Sequence, residues 1–197
     1  MTSTRPAVRF VLPGRSLLLV AGMPGAGKST LLAGLPEREG QVVLDSDSYR
    51  EALHKALHPL PYGWYRPLVH LWHRVAVVRN AGSAIPTVIV HLPATDPRMR
   101  AAVARLAAMT GRSAHLLWLH VDPAEARTGQ LERGRVVPES SMAGHAERAV
   151  ATTAELRANP PTEWESVTVL DRSTARAGML VDDGEPVIRP EYARKAS

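Results

Sequence analysis

The run "LLLVAGMPGAGKSTLL", Leu17 to Leu32, constrains this chain more than any other feature, because it interrupts an aliphatic stretch with three glycines and then adds a lysine and two hydroxyls. Leu17 to Ala21 reads as a strand buried on both faces. Gly22, Met23, Pro24, Gly25, Ala26, Gly27, Lys28 and Ser29 fit G-x-x-x-x-G-K-[ST], between that strand and a helix predicted over Lys28 to Leu35. A loop of this kind turns successive backbone N–H groups inward around phosphate oxygens, and the following helix adds the positive end of its dipole. It is a P-loop. Lys28 is expected across the β- and γ-phosphates of ATP and Ser29 on Mg²⁺, with Thr30 beside them among the nucleotide-contacting residues.

The remaining chain alternates short Val/Ile/Leu-rich runs with helical patterns. Strands are expected at Gln41 to Leu44, Thr87 to Val90, His115 to Val121 and Ser166 to Leu170. Helices are expected at Ser48 to Leu57, near Arg66 to Asn80, at Asp96 to Thr110, at Pro123 to Gly134 and at Pro138 to Ala158. Such alternation predicts an α/β fold, a parallel five-stranded sheet flanked by helices in one domain. The domain is expected over residues 1–175, with 176–197 as a tail that either closes a hairpin at Asp183-Gly184 or is unordered.

Composition narrows the partners. The 197 residues carry 24 Lys and Arg against 19 Asp and Glu, a net charge of +5, which favours anionic partners such as phosphates, nucleotides or nucleic acid. Cysteine does not occur, which excludes disulfides and thiolate chemistry and fits a reducing cytoplasm. No run is apolar for long enough to span a bilayer, and no membrane partner is expected.

The second strand ends in "QVVLDSDSYR", which puts Asp45 and Asp47 at its carboxyl end, where open parallel sheets bind ligands. Here the sequence resembles the P-loop kinase group of the AAA-type ATP-binding proteins, which includes polynucleotide 5′-kinases, zeta-toxin-like kinases and antibiotic phosphotransferases. "SDSYR" matches the Asp followed closely by Tyr-Arg of the polynucleotide kinases. The resemblance implies that Asp47 accepts the proton of an acceptor hydroxyl and that Arg50 holds an anionic part of the acceptor. Asp45 competes for the role of base or of a group near Mg²⁺, and Asp47 has a second reading as a helix N-cap.

"VDPAEARTGQLERGRVVPES" looks like the lid of the same group, placed over 123–142. There Arg127 would contact the nucleotide, and Arg133 and Arg135 would neutralise the transferring phosphoryl group. The third strand departs from the pattern. Where relatives carry a carboxylate for Mg²⁺, this chain has His91, a poor ligand for that ion, so His91 is expected to face the acceptor or to leave Mg²⁺ to Ser29 and Asp45. Thr95, Arg98 and Arg100 resemble the Thr and distant Arg of some relatives.

The acceptor-side segment, 48–80, concentrates aromatic and basic residues. In "PYGWYRPLVHLWHR", Tyr65 and Arg66 are candidates for the acceptor, and the rings either stack a planar ligand or build an aromatic minicore. Asp171, Arg172 and Thr174, after the last strand, are candidates for the adenine side. No N-K-x-D signature supports a GTPase. The expected activity is transfer of the ATP γ-phosphate to a hydroxyl acceptor: a nucleic-acid 5′-end, a nucleotide or a small molecule. The alternative is a regulatory switch ATPase that acts through a protein partner.

Overall fold

The computed structural model describes residues 7–131 and 139–182. The elements are β1 (Val8–Val11), β2 (Ser16–Gly22), α1 (Lys28–Ala33), β3 (Gln41–Leu44), α2 (Ser46–Leu57), α3 (Tyr62–Ala81) and β4 (Thr87–His91). They continue with α4 (Pro97–Met109), β5 (Ser113–His120), α5 (Pro123–Leu131), α6 (Glu139–Ala158), β6 (Ser166–Asp171), α7 (Arg172–Ala175) and β7 (Met179–Asp182).

Five strands form one parallel sheet in the order β3-β4-β2-β5-β6. This is the α/β P-loop fold that the alternating pattern predicts. β2 is central and buried at every position, which is why it is aliphatic on both faces rather than alternating. Leu17, Leu19 and Val20 are fully shielded, as are Val88, Ile89 and Val90 of β4 and Leu117 and Trp118 of β5. Each such aliphatic side chain contributes about 1.5–3 kcal/mol by leaving water. The carboxyl ends of the strands therefore converge on a rigid edge, and the loop after β2 opens there.

Two strands lie outside the five expected from the sequence pattern. β1 and β7 pair in parallel, Val8 against Met179 through Val11 against Asp182, and Phe10, Met179 and Val181 are buried beneath them. The stretch after residue 175 thus starts with a paired strand, while the Asp183-Gly184 turn lies outside the described residues. Helix bounds also shift: α2 begins at Ser46, two residues earlier than expected, and α3 begins at Tyr62 rather than near Arg66. α2 starts early because Asp45 caps it, its side chain accepting from the Asp47 amide at 3.0 Å.

Candidate functional site

The loop between β2 and α1 is held at both ends. Gly22 N–H donates to Pro93 O at 3.0 Å, which ties the loop to the segment after β4, and Gly25 lies flush against α5. A Cβ on Gly25 would run into the Ala126 carbonyl, and the backbone there has φ 87°. Gly27, with φ 98°, is the N-cap of α1 and turns the chain into the helix whose first residues are Lys28 and Ser29. Lys28 is buried; its Nζ donates to Gly22 O at 2.8 Å and Met23 O at 2.9 Å, which fixes the ammonium over the loop. Met23 and Ala26 anchor the loop in the core by their side chains, so they offer a ligand only backbone.

Two carboxylates flank this loop, and they differ. Asp45 Oδ1 is the N-cap acceptor of α2 and also meets His91 Nδ1 at 2.6 Å. Burial pushes the Asp45 carboxyl up, but the His91 hydrogen bond and charge, with the Asp47 amide, bring it below the ordinary carboxylate value. Asp47 is the second residue of the helix, and its Oδ2 accepts from Ser29 Oγ at 3.4 Å. The structure thus brings Asp47, rather than Asp45, to the Ser29 hydroxyl of the loop, and Asp45 rather than Asp47 is the cap. Asp45 Oδ1 serves two donors, the Asp47 amide and His91. His91 is turned to Asp45, its side chain only 10% exposed.

The acceptor-side residues divide between interior and surface. Tyr65 is buried, its hydroxyl 3.0 Å from His54 Nδ1 and its ring edge-on to Tyr62 at 5.4 Å. Tyr65 packs in the minicore between α2 and α3, one of the two readings of this segment, as does Tyr49, which lies edge-on against Trp72 and His73. Arg50 lies over the Tyr62 ring, 4.9 Å from its centroid, and exposed Arg66 donates Nε–H to His70 at 3.4 Å. Arg127 and Thr30 are exposed, on α5 and α1. Arg133 and Arg135 lie outside the described residues.

Three features around the loop rest on contacts between distant parts of the chain. On the outer side of the P-loop a cavity of about 250 Å³ is lined by Gly25, Gly27, Thr30, Gly129, Arg172 and Arg176. Arg172 Nη1 donates to Glu125 O at 2.7 Å, bridging α5 and α7 across that cavity. Second, His145 of α6 meets Thr95 Oγ1 at 2.9 Å; burial, Arg148 and Lys28 hold its imidazole below the ordinary histidine value. Third, Arg100 is buried and donates to Ala94 O at 3.0 Å and Thr95 O at 3.3 Å, so it braces the loop beside the site. The His145–Thr95 bond joins α6 to the segment after β4.

Residues 17–158 match the family described as an AAA domain (AAA_33). This chain belongs to that family. Among solved structures it is similar to a chain of the PezAT chromosomal toxin-antitoxin system of Streptococcus pneumoniae, at 15% identity and a TM-score of 0.57, covering 84% of this chain and 71% of that one. A candidate kinase from Chloroflexus aurantiacus aligns at 16% identity and a TM-score of 0.54, over 80% of this chain and 88% of the other. At these identities the likeness is one of fold, the P-loop kinase fold. A comparison with curated proteins finds no match. Among the described residues no helix is long and apolar enough to cross a membrane.

Proposed function

We propose that this AAA-domain protein is a cytoplasmic ATP-dependent phosphotransferase that moves the γ-phosphate of ATP to a hydroxyl acceptor. The observation that carries this reading is the 3.4 Å approach of Asp47 Oδ2 to Ser29 Oγ at the head of the P-loop. One carboxylate thus lies beside the loop hydroxyl, and the other bonds His91 and the helix cap.

Lys28 and the loop amides hold the phosphates, and the cavity beside Arg172 and Arg176 receives the adenosine portion. Asp47 orients the acceptor hydroxyl and takes its proton as the hydroxyl oxygen bonds to the γ-phosphorus and the bond to the β-phosphate oxygen breaks. Arg127, Arg133 and Arg135 of the lid segment complement the charge of the transferring group. Arg50 and Arg66 hold an anionic part of the acceptor, which is a nucleic-acid 5′-end, a nucleotide or a small molecule.

Ser29 presents a hard oxygen donor, which suits Mg²⁺; that ion needs few protein ligands when phosphates supply the rest. Bound there it would neutralise charge on the phosphates. The lack of a carboxylate at the end of β4 would favour the regulatory-ATPase alternative, but the pairing of His91 with Asp45 gives that histidine a structural reason.

The test is transfer of labelled γ-phosphate with Mg²⁺ to 5′-hydroxyl oligonucleotides, nucleosides, nucleotide sugars, aminoglycosides and phenicols. Label on one acceptor class, absent with Asp47→Asn, supports the reading. Free phosphate with no labelled acceptor, unaffected by that substitution, rejects it.

A further inference from the structure

We propose that the outer face of α3 is a docking surface for an amphipathic helix of another protein, one whose apolar seam is bordered by carboxylates. On this face Trp64 is 79% exposed, Leu68 51%, Leu71 58%, Val75 54% and Val78 57%, whereas Val69, His73, Val77 and Ala81 on the opposite side are buried. A row of large apolar side chains turned to water along a whole helix marks an interaction site rather than scattered surface residues.

The spacing indicates what lies on it. From Trp64 to Val78 the exposed residues recur at alternating steps of four and three, the seam by which one helix receives the side chains of another. Charge indicates the sign of the partner. Arg74 and Arg79 are exposed on α3, and no Asp or Glu occurs from Ala52 to Thr95. A border whose charged residues are all cationic selects a helix with Glu or Asp beside its seam. A second copy of this chain would set arginine-bordered seams against each other with no carboxylate on either helix, and like charges so placed are unfavourable.

The molecule carries its own reporter. Trp118 and Trp164 are 0% and 6% exposed, so a change in tryptophan emission on binding comes from Trp64 and Trp72, at 79% and 47%.

Two synthetic helical peptides with leucine at the seam positions, one bordered by glutamates and one by lysines, are titrated against the full chain while emission is followed. The glutamate peptide should shift the emission to the blue and bind roughly tenfold or more tightly than the lysine peptide. Arg74→Glu with Arg79→Glu should reverse that preference, and Leu71→Asp with Val75→Asp should abolish binding of both. These positions are exposed, so folding is not at stake. Equal binding of both peptides, or of neither, overturns the proposal. So does self-association that Leu71→Asp abolishes, or a blue shift produced by phosphatidylglycerol vesicles but not by the glutamate peptide. None of the substituted residues touches the P-loop, so this outcome is independent of the phosphotransfer assay.

Discussion

His91 Nδ1 lies 2.6 Å from Asp45 Oδ1, joining the end of β4 to the cap of α2. Through that contact the strand beside the P-loop fixes the start of the helix that carries Asp47. A carboxylate at residue 91 would have faced Asp45 as a like charge; histidine instead offers a ring N–H, so one side chain serves both elements. The two aspartates then have different work, although they stand only two residues apart.

Asp47→Asn and Asp45→Asn should therefore separate. The first is expected to lower phosphate transfer by about 10²- to 10⁴-fold, the usual worth of a general base, while ATP binding is retained. The second weakens the cap and its bond to His91, and is expected to cost about 1 kcal/mol of stability with a much smaller loss of transfer. Transfer rates, nucleotide titration and thermal melts of both variants check this. Equal losses of transfer would remove Asp47 from the role of base.

Gly25→Ala tests the docking of the P-loop on α5. The new Cβ would meet the Ala126 carbonyl in backbone with φ 87°, so either the loop or α5 must shift. Nucleotide affinity is expected to fall by about tenfold or more, read by titration. Gly129→Ala, whose Cβ would stand 2.9 Å from Gly25 O, should act in the same direction from the opposite side of the contact. Unchanged affinity in both would mean that the loop binds phosphates without this support.

The P-loop and the five sheet strands were legible because their signals are local: a fixed residue pattern, and aliphatic runs that only a doubly covered strand explains. What the sequence left open depends on distance along the chain. Asp45 and Asp47 look alike until β4 brings His91 to one of them. Tyr65 and Trp64 are neighbours with similar chemistry, yet α2 covers the first and leaves the second in water. The β1–β7 pair joins two short runs from opposite ends of the described chain, and neither is long enough to stand out alone.

Arg112 should prove a structural linchpin remote from the chemistry. It is 5% exposed and donates to Ala81 O at 2.7 Å, Pro86 O and Ile85 O at 2.8 Å, Ser83 O at 3.0 Å, Asn80 O at 3.2 Å and Ser16 O at 3.3 Å. Arg112→Met would strand these carbonyls where α3 turns into β4. The expected loss is about 3–5 kcal/mol, seen as a fall in melting temperature on the order of 10 °C, with nucleotide affinity preserved at low temperature. A melting temperature within about a degree of the parent would show that water replaces the guanidinium without cost.

Acid should destabilise the fold well before its carboxylates titrate. His115 is 3% exposed, between Ser166 Oγ at 2.8 Å and Ser16 Oγ at 3.5 Å, and burial holds it below the ordinary histidine value despite an opposing pull from Glu165. His73 is shifted the same way by burial, although Leu44 O accepts from its ring at 3.1 Å. For a histidine lowered in the folded state, the unfolded chain binds more protons as pH falls below about 6.5, so stability declines there. Asp45, also lowered, adds to the decline only as pH falls below the ordinary carboxylate value of 3.8. Melting temperature should thus drop between about pH 7 and pH 5, and His115→Asn should flatten that slope without removing it, because His73 remains. A slope identical in parent and variant would exclude His115 as a source of the acid sensitivity.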